Sequence, residues 1–182
     1  MRPAQAELAG ALREYALRTG DFVLASGRRS TWYVDGRQVT FRGDCVELVG
    51  RAVVEALDAA GGLEFDAVGG LAIGADPVAV AVALVTGCRA FAVRKEPKGH
   101  GVEGLIAGPL RPGDRVLVVE DTVTSGGSLV TVLDAVGRFG ATVVGASCLL
   151  DRGDELAEVL AGRGVPYFPV LAPADLGFTA DP

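Results

Sequence analysis

A chain of 182 residues, 49% hydrophobic and 22% charged with 26 glycines, has the length expected of a single globular domain spanning residues 1–182, at roughly 150 residues per domain. This composition excludes disorder and collagen-like repeats. Seventeen basic against 23 acidic residues give a net charge of -6 and a pI near 4.8, which argues against nucleic acid and anionic membrane surfaces as partners.

The N-terminus lacks the charged and apolar regions of a signal peptide, so a cytoplasmic location is expected. Leu8, Ala11, Leu12, Tyr15 and Ala16 recur at helical spacing, predicting a helix over residues 4–18 with Gly20 as its C-cap. Short β-prone runs at 22–24 and 31–35 flank turn-forming residues 26–30 and predict a hairpin. Residues 44–60 carry Val46, Val49, Val53, Val54 and Leu57 on one face and end at Gly61-Gly62, predicting a second amphipathic helix.

Residues 67–69, 90–93, 116–119 and 143–149 are nearly unbroken apolar runs, as expected of strands covered on both faces. Helical stretches at 77–86 and 128–139 lie between them, and the chain after Val165 reads as a last short strand. Repeated β-α-β units demand a parallel sheet with right-handed crossovers, so the fold class is α/β. Asp76-Pro77 reads as a helix N-cap with Pro at N1. The apolar tract 67–93 is interrupted by Asp76, Pro77 and Arg89, so its charge-free pieces fall short of the ~20 residues of a membrane span. Cys45, Cys88 and Cys148 form no Cys-x-x-Cys pair and read as buried free thiols.

Residues 115–128, RVLVVEDTVTSGGS, place an apolar strand, two acids, then a hydroxyl- and glycine-rich loop that opens a helix. Backbone amides of such a loop and the positive end of the helix can cradle a phosphate, with Thr and Ser hydroxyls adding hydrogen bonds. This loop is neither a Walker A loop nor Gly-x-Gly-x-x-Gly. An ordinary turn whose Asp and Ser cap the helix is the alternative. Adjacent carboxylates Glu120 and Asp121 repel one another, however, and suit a ligand with vicinal hydroxyls or a cation.

Of the 17 basic residues 15 are Arg; the only lysines, Lys95 and Lys98, and the only histidine, His100, fall within six consecutive residues. The segment 94–101, RKEPKGHG, is locally positive on an acidic chain, and Gly99, Gly101 and Gly104 give it hinges. That mix predicts a lid closing over a polyphosphate, against the alternative of a solvated surface loop.

Residues 118–128 resemble the PRPP-binding signature of type I phosphoribosyltransferases, PRPP being 5-phosphoribosyl 1-pyrophosphate. The 94–101 segment is similar to the catalytic loop of the orotate branch, as are residues 22–30 with Tyr33, Asp35 and Arg37 to its N-terminal segment, and Asp151-Arg152 to its Asp-Arg pair. The resemblance implies a mostly parallel central sheet flanked by helices, with a small N-terminal hood element. It implies transfer of a ribosyl 5-phosphate from PRPP to orotate in pyrimidine nucleotide synthesis. Thr122, Val123, Thr124, Ser125, Gly126, Gly127 and Ser128 would hold the 5-phosphate, and Glu120 and Asp121 the ribose hydroxyls. Arg94, Lys95, Lys98 and His100 would bind pyrophosphate; Lys98, His100 and Asp121 would be the catalytic residues; Thr124 and Arg152 would contact orotate.

It also implies a homodimer sharing the catalytic loop, and Mg2+ bound mainly through PRPP and water with no protein metal ligand. Many members of that family carry Lys where Ala25 stands and some carry Lys near Gly74; Arg28 or Arg29 is expected to take over part of that task. A purine phosphoribosyltransferase and a non-catalytic PRPP-sensing regulator remain alternatives. Trp32 and Tyr33 could flank the base, but an aromatic beside a strand reads first as core.

Overall fold

A computed structural model of the chain describes residues 1–23, 29–96, 104–153 and 155–178. Helix α1, Pro3–Ala11, is followed by one π-helical turn, Leu12–Ala16. The helix predicted over 4–18 thus ends early, and Leu17 already belongs to a strand. Glu55 Oε2 accepts hydrogen bonds from the Ala4 and Gln5 amides at 2.8 and 3.3 Å, placing a carboxylate at the positive end of α1. Strands β1, Leu17–Val23, and β2, Arg29–Val34, pair antiparallel as a hood. The hairpin is longer than predicted. Gly20 is not a helix cap; it lies within β1, where the register shifts between Thr19 and Phe22.

The remaining strands are β3, Ala67–Leu71; β4, Arg89–Val93; β5, Ile106–Ala107; β6, Arg115–Val123; β7, Thr142–Asp151; and β8, Tyr167–Leu171. They form one sheet in the order β5-β4-β3-β6-β7-β8, parallel except for the β4-β5 pair. Helices α2, Arg37–Thr40; α3, Val46–Ala59; α4, Asp76–Thr86; α5, Gly127–Phe139; and α6, Glu155–Gly162, accompany them. The unbroken apolar runs have the reason expected of them. Val68, Leu117, Val119 and Leu149 enter one core with α1, α3 and α4, while Ala67, Val116, Val118 and Cys148 enter another with α5 and α6.

The N-cap reading of Asp76 is corrected: Ala75 is the cap, Asp76 is the first helical residue, and its buried Oδ1 has no hydrogen-bond partner. Among the described residues no helix is long and apolar enough to cross a membrane.

From β3 the chain proceeds to β4 on one side, whereas β6, on the other side of β3, proceeds away to β7 and β8. Strand order therefore reverses between β3 and β6. The crevice at the carboxyl ends of those two strands is where an open α/β sheet takes its ligand.

Candidate active site

At that crevice lies a cavity of about 270 Å³ lined by Tyr33, Asp35, Gly36 and Arg37 beside the hood, residues 71–74 after β3, Lys95, and Glu120, Asp121, Thr122 and Ser128. β6 spends residues 116–119 in the two cores and then delivers Glu120 and Asp121, 7% and 9% exposed. Burial raises both carboxyls above the usual carboxylate range, and the charge of Asp121 adds to the rise at Glu120. Glu120 Oε1 accepts from the Asp121 amide at 3.3 Å and Asp121 Oδ1 from the Thr122 amide at 2.7 Å. Facing them are glycines. A Cβ on Gly36 would stand 3.0 Å from Asp121 Oδ2, and one on Gly74 3.3 Å from Glu120 Oε1. The acids are thus walled by backbone, which suits recognition of small hydroxyl donors.

Among the described residues two cations reach this cavity, Lys95 and Arg37. Arg37 Nε donates to Asp35 Oδ1 at 2.7 Å, and this hydrogen bond holds the Asp35 carboxyl below its ordinary range. The guanidinium charge also acts on Asp121. Arg37 was not among the predicted ligands, although it follows a β-prone run and an acid, the signal that could have found it. Tyr33, 37% exposed, lines the cavity as well, so the core reading does not hold for it. For Trp32 the core reading holds: it is buried and stacks on Phe178 with ring centroids 4.9 Å apart.

The predicted phosphate loop leads from β6 into α5. Thr124, Ser125, Gly127 and Ser128 are exposed, whereas Gly126 is buried with φ +74°. Its left-handed backbone strains any other residue, and a Cβ there would lie 2.5 Å from Leu156 Cδ1. α5 starts with no side-chain cap, so the alternative of a capped structural turn does not occur. The uncapped first-turn amides and the helix dipole make an anion receptor. Val123 buries its side chain and has only backbone to offer.

Other predicted residues lie elsewhere. Arg94 donates to the carbonyls of Gly104 and Ile106 at 3.0 and 3.5 Å rather than lining the cavity. Arg152, 3% exposed, lays its guanidinium 3.9 Å from the centroid of Trp32 and donates to Ser30 Oγ and the Trp32 carbonyl at 3.2 and 3.3 Å. It lines a second cavity of about 270 Å³ with Asp151, Gly153 and the end of β8. Thr124 does not line the first cavity. Arg29 pairs with Asp21 on the exposed face of the hood and does not supply the missing cation. Lys98, His100, Ala25 and Arg28 lie outside the described residues.

Residues 44–165 match the family model described as the phosphoribosyl transferase domain. The chain is 42% identical over 176 residues to an orotate phosphoribosyltransferase of Corynebacterium glutamicum, covering 96% of this chain and 94% of that one. Among solved structures, an orotate phosphoribosyltransferase of Mycobacterium tuberculosis in complex with Fe(III) dicitrate is 41% identical with a TM-score of 0.84, covering 97% of this chain and all of that one. Its complex with PRPP aligns over the same share of each chain at 39% identity and a TM-score of 0.80.

Proposed function

The chain belongs to the phosphoribosyltransferase family, on its orotate branch, and from that premise we propose how its residues divide the transfer of a ribosyl 5-phosphate from PRPP to N1 of orotate. The observation that carries the proposal is the meeting, at the strand-order reversal, of a buried acid pair, an uncapped helix N-terminus and two cations.

Each feature matches one part of PRPP. The loop 122–128 and the first turn of α5 bind the 5-phosphate through backbone amides. Glu120 and Asp121 accept hydrogen bonds from the ribose 2- and 3-hydroxyls. Lys95, with Lys98 and His100 of the lid, binds pyrophosphate, and Arg37 adds a positive charge at the same cavity. Displacement at the anomeric carbon builds positive charge on the sugar and negative charge on the leaving pyrophosphate. Buried carboxylates beside the first and cations beside the second stabilise both ends of that separation. Lys98 and His100 stabilise the leaving group, and His100 can protonate it.

The donor set also fits magnesium. Glu120 and Asp121 line the cavity with hard carboxylate oxygens, the ligand type that ion takes, and among the described residues no cluster of three or more His, Cys, Asp or Glu is arranged to hold a metal alone. Bound with PRPP, Mg2+ would neutralise charge on the pyrophosphate. Arg152, with its planar fork, and Thr124 read the orotate side of the site. The active unit is a homodimer in which the lid of one subunit reaches its partner's site, and the reaction takes place in the cytoplasm.

Offering orotate, adenine, hypoxanthine and uracil in parallel with PRPP and Mg2+ tests the branch. Consumption of orotate alone supports the assignment. Turnover of a purine in its place refutes it, and tight PRPP binding without any turnover would mark a sensor.

A further inference from the structure

Behind the phosphate loop is a half-buried polar chain that no step above uses. Tyr167, at the start of β8, donates its hydroxyl proton to Asp151 Oδ2 at 2.8 Å and lies 2.9 Å from Cys148 Sγ, whose thiol can donate in turn. Burial raises both the Cys148 thiol and the Tyr167 hydroxyl, the thiol to a level at which it stays protonated at physiological pH. The other oxygen of Asp151, Oδ1, accepts the Gly153 amide at 3.1 Å. Gly153 is pressed against the phosphate loop: a Cβ on it would come within 2.3 Å of the Thr124 carbonyl oxygen. Between them, the Arg152 amide donates to the Val123 carbonyl at 2.8 Å.

From this chain we infer that Tyr167 is a positioning residue for the PRPP phosphate loop, acting through Asp151 and Gly153. The hydroxyl fixes the Asp151 carboxylate, the carboxylate fixes the turn at Gly153, and the turn is the floor on which Thr124 rests. Tyr167 touches no substrate. Removing its hydroxyl takes away one of the bonds that orient the carboxylate and loosens the floor, which a set of converging phosphate donors registers as lost affinity. Because the floor lies under the 5-phosphate loop, of which only Thr124 also serves the acceptor, the larger effect falls on PRPP.

The inference rests on the 122–128 loop binding PRPP, and the wild-type enzyme in the same assay tests that separately: wild type that fails to use PRPP overturns the proposed function and this inference with it. Given active wild type, steady-state kinetics of Tyr167→Phe should show KM for PRPP raised five- to twentyfold, with kcat within twofold and KM for orotate raised by a clearly smaller factor. Asp151→Ala should reproduce that split and serves as the test if Tyr167→Phe does not fold. Asp151→Asn, which keeps an acceptor for the Gly153 amide, should recover most of the loss. A PRPP KM within twofold of wild type in Tyr167→Phe, or equal changes in both substrates' KM values, overturns the inference.

Discussion

Arg152 lays its guanidinium 3.9 Å from the Trp32 ring centroid, so the residue expected to read the acceptor's carboxylate also ties the N-terminal hood to the end of β7. Two hydrogen bonds to Ser30 Oγ and the Trp32 carbonyl reinforce the contact.

Replacing Arg152 should consequently affect both stability and the acceptor. A desolvated cation–π contact contributes ~2 kcal/mol, and a hydrogen bond from a charged donor ~1.5 kcal/mol or more. Arg152→Ala should lose about 2–4 kcal/mol in urea unfolding and raise KM for orotate. Arg152→Lys keeps the charge without the planar fork and should recover only part of either loss.

The acid pair predicts a stability gain at the expense of activity. The folded protein holds the Glu120 carboxyl above its ordinary range, chiefly by burial. Below that ordinary range both folded and unfolded chains are protonated and nothing is lost; as pH rises the unfolded chain releases its proton first, and stability falls toward the raised folded value. Glu120→Gln should melt like wild type near pH 4 and be more stable by ~1–3 kcal/mol at pH 8, since each tenfold difference in proton affinity between folded and unfolded chains is worth about 1.4 kcal/mol. Its KM for PRPP should rise at every pH. Equal melting temperatures at pH 8 would contradict the cost assigned to this carboxyl.

Gly126→Ala meets two obstacles, a left-handed backbone and the Leu156 side chain 2.5 Å from the new Cβ. The first costs ~1 kcal/mol and the second adds to it. The variant should fold with a lowered melting temperature and lose PRPP binding by more than tenfold in calorimetry.

Lys98→Ala and His100→Ala should each lower kcat/KM roughly 10²-fold if these side chains meet charge developing on pyrophosphate. A loss within about threefold, ~0.65 kcal/mol, would remove the role. Mixing Lys98→Ala with Asp121→Asn should restore roughly a quarter of wild-type activity if the lid crosses between subunits, because half the dimers then carry one intact site. No restoration would place the lid over its own subunit's site.

The buried sheet was legible because strands covered on both faces carry unmixed apolar runs, and α4 and α5 follow from what lies between them. β5 has two residues, too few for a period, and α6 buries only Leu156 and Leu160. Of the cavity lining, Glu120, Asp121, Thr122 and Ser128 could be picked out in the sequence because acids and glycines at a strand end have few structural uses. Gly36, Gly74 and the turn at 71–74 act through backbone and leave no residue type to notice. Arg94 and Arg152 show the opposite limit: their charge is evident, but carbonyls at Gly104 and Ile106 and the ring of Trp32 decide where each guanidinium goes.

The most direct test of the account is the loss of orotate absorbance over time with purified protein, PRPP and Mg2+, alongside Asp121→Asn. Orotate should disappear only when PRPP and Mg2+ are both present, with pyrophosphate released in equal amount, and the variant should be slower by roughly 10²-fold. Orotate that persists in the complete mixture, or an Asp121→Asn enzyme as fast as wild type, would contradict the central claim that this crevice carries out the transfer.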